Sequence, residues 1–134
     1  MNAALEKAVR DRAQHRCEYC HFPEPFAELP FHFDHIVARQ HGGKTESENL
    51  AFACCHCNRY KGPNLSGLDP ASGKVVSLFH PRKHVWNEHF SWNGPLLVGK
   101  TTIGRATIQA LRLNRADAIA VRQLLIRSGE YDVN

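Results

Sequence analysis

No stretch of the chain is long and apolar enough to span a bilayer, and the opening residues, MNAALEKAVRDRAQ, lack the apolar core of a secretion signal. Repeats and low-complexity tracts are missing too. These absences set aside membrane-spanning, secreted and fibrous classes and lead us to expect a soluble, cytoplasmic protein. A length of 134 residues leaves room for one domain, or one small module with an appendage, but not for a second independent core. A domain of this size buries only about two-thirds of its unfolded surface, so a structural metal would add usefully to its stability.

Strong charge is also lacking. The net charge is +4, and it sits wholly in the second half: residues 1–67 hold eight Lys/Arg and eight Asp/Glu, residues 68–134 nine and five. Such an excess fits a nucleic-acid partner without requiring one.

Cysteine is present, and it is clustered. Cys17 and Cys20 form one pair; Cys54, Cys55 and Cys57 form a second group. Without a secretion signal, clustered pairs favour metal over disulfide. Cys17-x-x-Cys20 and Cys54-x-x-Cys57 are each spaced to wrap one ion, because two intervening residues let both sulfurs reach about 2.3 Å from a tetrahedral centre. Zinc prefers thiolates and imposes no ligand-field geometry, so it is the expected occupant. With no open position the site reads as structural. An iron–sulfur cluster, a redox dithiol or buried free thiols are the other uses of such pairs. Cys55 is left over and reads as a small buried hydrophobe.

Periodicity outlines the elements. Leu5, Ala8, Val9 and Ala13 predict an amphipathic helix over 3–15. Phe31–Val37 has strand composition, and a short helix is predicted from Cys55 towards Lys61, stopped by Gly62-Pro63. Further on, Asp69–Gly73 is turn chemistry and Val75–Phe79 reads as a strand. Phe90–Trp92 and Leu96–Val98 flank Asn93-Gly94 as a hairpin. Two helices follow: one over 105–111, and one N-capped by Asn114 with Asp117 completing a capping box. Ala118, Val121 and Leu125 supply the apolar stripe of the second.

Between the cysteine pairs lie Phe33-Asp34-His35-Ile36, His41-Gly42-Gly43 and Glu48-Asn49-Leu50, and the second pair runs into Asn58-Arg59-Tyr60-Lys61-Gly62. The order C-x-x-C, DHI, GG, NL, C-x-x-C-N-x-x-K-G resembles the HNH endonuclease family, whose core is a ββα-metal finger. The second half, with Leu78–Arg82, Trp86–Phe90, Gly104–Ile108 and Leu113-Asn114, is similar to a group of uncharacterised bacterial HNH proteins.

The resemblance implies hydrolysis of DNA phosphodiesters. That chemistry needs an activated water, a cation to neutralise phosphate charge, and help for the leaving oxygen. Histidine suits the base, since an ordinary imidazole is mostly neutral at pH 7. By the resemblance His35 is that base, Asp34 and Asn58 are ligands to one divalent cation (Mg²⁺ or Mn²⁺), and Asn49 secures the loop that orients the base. Asn58 stands where the family name has its last H; an amide oxygen favours Mg²⁺ or Mn²⁺ over Zn²⁺ there. Arg39, Lys44, Arg59 and Lys61 are candidate phosphate contacts, with Lys61 belonging to the motif itself.

Taken singly, Asp34 also reads as a hairpin acid, His35 as a structural histidine, Asn49 as a turn residue and Asn58 as a helix-surface residue. One tension is intrinsic: in a flat strand Asp34 and His35 point to opposite faces. Trp86 and Trp92 read as core anchors. Arg105, Arg112, Arg115 and Arg122 read either as a DNA-tracking face or as solvated helix charges.

The expectation is therefore an α+β fold: a zinc-braced ββα finger over 1–67, preceded by one helix, with a β-hairpin and two helices over 68–134 packed on the same domain. The alternative is a zinc-stabilised nucleic-acid-binding module that does not cleave. The oligomeric state is not legible in the sequence.

Overall fold

The computed structural model describes residues 1–133. The chain is α+β, with small antiparallel hairpins and short helices, and forms two compact units: residues 1–65 with 80–83, and residues 66–79 with 84–133. The expected boundary lay at 67/68; His80–Lys83 instead joins the first unit, where Arg82 binds the Glu18 carboxylate. Among the described residues no helix is long and apolar enough to cross a membrane.

In the first unit, α1 (Ala3–Arg12) opens at Asn2, whose Oδ1 accepts from the Leu5 amide at 2.8 Å. It buries Val9, with Ala13 just beyond its end, and stops short of the predicted residue 15, where Gln14 and His15 turn to positive φ. Two strands pair antiparallel, β1 (His32–His35) and β2 (Leu50–Ala53), in the register Phe33 to Phe52 and Asp34 to Ala51. β2 is buried on both faces, and Phe31 and Phe33 pack their rings on Phe52. Its outer edge is blocked. Glu18 donates its amide to the Phe52 carbonyl (2.9 Å) and accepts the Phe52 amide on Oε2 (2.8 Å), while Arg12 takes the Leu50 carbonyl (2.8 Å). Backbone groups that would otherwise recruit another strand are thus satisfied. α2 (Cys55–Lys61) follows and ends at Gly62, where φ is +51°.

The second unit holds β3 (Ser66–Leu68) paired with β4 (Val75–Ser77), then α3 (Trp86–His89), β5 (Phe90–Asn93) paired with β6 (Leu96–Gly99), α4 (Thr102–Ala110) and α5 (Ala116–Arg127). Phe79, Trp86, Phe90, Trp92 and Tyr131 form its aromatic cluster. Gly104 lets α4 sit on the chain leaving α3: a Cβ there would meet the His89 carbonyl oxygen at 2.1 Å.

Two predicted details differ. Asn93 pairs with Leu96, so the loop is Gly94-Pro95 rather than Asn93-Gly94. Proline has no amide for the ladder, and Gly94 takes the positive φ at the first loop position. Asn114 does not cap α5. Its side chain accepts the Leu97 amide (2.9 Å) and donates to the Leu97 carbonyl (2.8 Å), completing the edge of β6, while α5 starts after Arg115 with no side-chain cap. An amide carries one donor and one acceptor in the arrangement a strand edge presents.

Candidate functional site

The four paired cysteines converge. Sγ atoms of Cys17, Cys20, Cys54 and Cys57 all lie within 4.8 Å of one another, buried, with Cys20 and Cys54 at 3.8 Å. A tetrahedron with metal–sulfur bonds of 2.3 Å has sulfurs about 3.8 Å apart, so the cluster has the size and chemistry that zinc takes. Amides support it: Tyr19 donates to Cys17 Sγ and Cys57 to Cys54 Sγ, each at 3.4 Å. Cys54 receives from its three neighbouring thiols and that amide, which press it far below the ordinary thiol range. Burial pushes Cys17 well up. Cys55, half-buried, lies outside the cluster.

The same Cys17–Cys20 turn delivers Tyr19 to Asp34. The Tyr19 hydroxyl donates to Asp34 Oδ2 at 3.0 Å, and the Lys61 ammonium from α2 sits 3.2 Å from that oxygen. All three side chains are buried, Asp34 at 6 % and Lys61 at 2 % exposure. Burial pushes the Asp34 carboxyl above its ordinary range; the Lys61 charge and the two hydrogen bonds pull the other way. Burial likewise holds Tyr19 as a phenol, a donor rather than an acceptor of charge.

Asp34, His35 and Asn58 border one open cleft, together with His32 and Arg39. Asp34 and His35, consecutive in β1 and expected on opposite faces, are both among the residues that line the cleft. His35 Nε2 lies 2.8 Å from Thr45 Oγ1. Its Nδ1 has no hydrogen-bond partner among the described residues. Asn49 is buried and ties the 37–49 loop shut: Oδ1 accepts the Val37 amide (2.9 Å), and Nδ2 donates to the carbonyls of Val37 (3.0 Å) and Lys44 (2.9 Å). Gly43 is required within that loop, since a Cβ would fall 1.7 Å from the Val37 carbonyl oxygen.

The basic residues divide. Arg39, Lys44 and Arg59 are exposed. Lys61, the strongest phosphate contact by motif, instead spends its ammonium on Asp34, the His35 carbonyl and the Gly62 carbonyl. The ammonium is thus turned inward and buried at the carboxylate. In the second unit Arg105 forks onto Asp69, and Arg122 is buried over the Trp92 ring, 5.3 Å from its centroid. Sequence reasoning missed Tyr19, Thr45 and His32. The first was legible only as the apolar filler of a C-x-x-C turn, and nothing in the spacing marks the others.

The four-cysteine cluster and the adjoining cleft lie on the same short stretch of chain. Residues 17–64 match the family model described as HNH endonuclease, and the four-cysteine cluster has two of its members at the start of that stretch and two at the start of α2. The match begins at the first cysteine of the cluster and ends just beyond α2, about a third of the chain. No curated protein and no solved structure matches the chain.

Proposed function

We propose that the chain is a metal-dependent endonuclease that hydrolyses DNA phosphodiester bonds, with β1, β2 and α2 as its ββα finger and zinc on Cys17, Cys20, Cys54 and Cys57. One observation carries the reading: within the HNH stretch, a carboxylate (Asp34), an imidazole (His35) and an amide (Asn58) border a single cleft. A binding module needs none of the three.

Asp34 and Asn58 offer oxygen donors, a set that suits Mg²⁺ or Mn²⁺. When bound, such a cation supplies charge neutralisation at the phosphate and at the departing 3′ oxygen. His35 takes a proton from water as the water oxygen forms its bond to phosphorus and the P–O3′ bond breaks; the 3′ oxygen leaves with a proton from solvent. With Nε2 on Thr45, Nδ1 is the nitrogen available for that proton. That role needs the tautomer in which Nε2 carries the proton and donates it to Thr45 Oγ1, a hydroxyl able to accept it. Asn49 keeps the 37–49 loop, and with it Thr45, in place behind the ring. Lys61 serves by holding Asp34 rather than by touching DNA. Arg39, Lys44 and Arg59 contact backbone phosphates, which position a duplex without reading its sequence.

The test is plasmid nicking after EDTA treatment. Nicking is lost and returns with Mg²⁺ or Mn²⁺, while zinc stays bound. Binding to DNA with no nicking in any divalent metal would instead make the chain a non-cleaving zinc module.

A further inference from the structure

We propose that Tyr19 is a positioning residue for the hard-cation site, an inference that rests on Asp34 being a ligand there. Tyr19 lies inside the sulfur turn, between Cys17 and Cys20, with its amide donated to Cys17 Sγ at 3.4 Å. The far end of the same side chain donates to Asp34 Oδ2 at 3.0 Å. One buried residue therefore touches both the structural cluster and the carboxylate at the cleft.

The geometry divides the two carboxylate oxygens. Oδ2 is gripped from two directions, by the Tyr19 hydroxyl from the sulfur turn and by the Lys61 ammonium from α2. Oδ1 has no partner among the described residues, and Asp34 borders the cleft. A carboxylate held by one oxygen has its rotation about the Cβ–Cγ bond fixed, so the free oxygen is presented to a cation at no further ordering cost. Partners of metal ligands act in this way, setting orientation before the ion arrives. The Cys17–Cys20 turn is thereby more than a brace: it aims a ligand of a second, chemically different metal site. Phenylalanine keeps the ring and removes the hydroxyl that donates to Asp34.

The experiment is a Mn²⁺ titration without DNA, read by electron paramagnetic resonance, on the zinc-loaded full chain, Tyr19→Phe and Asp34→Asn. Zinc content and circular dichroism are measured on the same samples. The wild type binds Mn²⁺ and Asp34→Asn does not. Tyr19→Phe keeps its zinc and its fold but binds Mn²⁺ about tenfold or more weakly, in line with losses of ligand-orienting partners elsewhere; its nicking rate recovers at saturating Mn²⁺. Wild-type affinity in Tyr19→Phe, with the site lost in Asp34→Asn, would overturn the role of Tyr19 and leave the cation site standing. Equal Mn²⁺ binding by wild type and Asp34→Asn would overturn the cation site itself. Loss of zinc or of fold from Tyr19→Phe would also overturn the proposal, because the hydroxyl would then serve the sulfur turn or the core.

Discussion

The ammonium of Lys61 lies 3.2 Å from Oδ2 of Asp34, and neither side chain reaches solvent to any useful extent. This pair distinguishes two kinds of basic residue that share one helix. Removing one member of a buried pair strands the other charge in a medium that cannot solvate it. Lys61→Met is therefore expected to destabilise the protein by about 3 kcal/mol, read from urea unfolding. Arg59→Ala, on the exposed face of α2, stays within about 0.5 kcal/mol of wild type. Its effect falls on DNA binding, which weakens and becomes less sensitive to salt. A stable Lys61→Met with impaired DNA binding would return Lys61 to the phosphate.

The second unit carries its own acid-sensitive contact. Arg105 donates Nε and Nη2 to the two oxygens of Asp69, at 2.9 and 3.0 Å, and the Ala71 and Ser72 amides add two more bonds. These contacts hold the fully buried Asp69 carboxyl well below the usual carboxylate range. With the folded value depressed, the unfolded chain takes up the proton first on acidification. The contribution to stability is complete above the unfolded value and is lost as pH falls through the folded one. The gap in urea midpoint between wild type and Asp69→Asn should stay constant above about pH 5 and narrow below about pH 4. A gap that widens on acidification contradicts the assignment.

Sulfur chemistry gives a third expectation. Cys55→Ser keeps a full zinc complement, because Cys55 lies outside the four-sulfur cluster. Cys17→Ser or Cys57→Ser loses zinc and unfolds the first unit, as expected where a metal supplies folding energy. Elemental analysis with circular dichroism reads both. Full zinc occupancy in both ligand variants contradicts the four-cysteine site.

What the sequence disclosed follows from how local each signal is. The cysteine pairs were legible because chelation depends on a spacing of two residues, and α2 because Gly62-Pro63 stops it. β2 was not legible as a strand: Leu50–Ala53 is buried on both faces, so its residues do not alternate, and a four-residue apolar run has no period to read. Asn114 was misread because a cap and a strand-edge partner ask for the same amide, and only the tertiary position of Leu97 decides between them. The inward turn of Lys61 and the reach of Tyr19 to Asp34 depend on contacts 27 and 15 residues away along the chain. No local pattern contains those. The candidate site was thus legible as a set of residue types, and its internal wiring was not.

Chemistry at His35 is tested by plasmid nicking with His35→Ala in saturating Mg²⁺, with zinc content measured alongside. The ring is half-exposed at the end of β1 and bonded only to Thr45, so its removal leaves the fold and the sulfur cluster intact. The predicted result is a rate lower by about a hundredfold or more, the range for losing a positioned base, with zinc and DNA binding unchanged. A variant that nicks at the wild-type rate, or that loses zinc together with activity, would contradict the account.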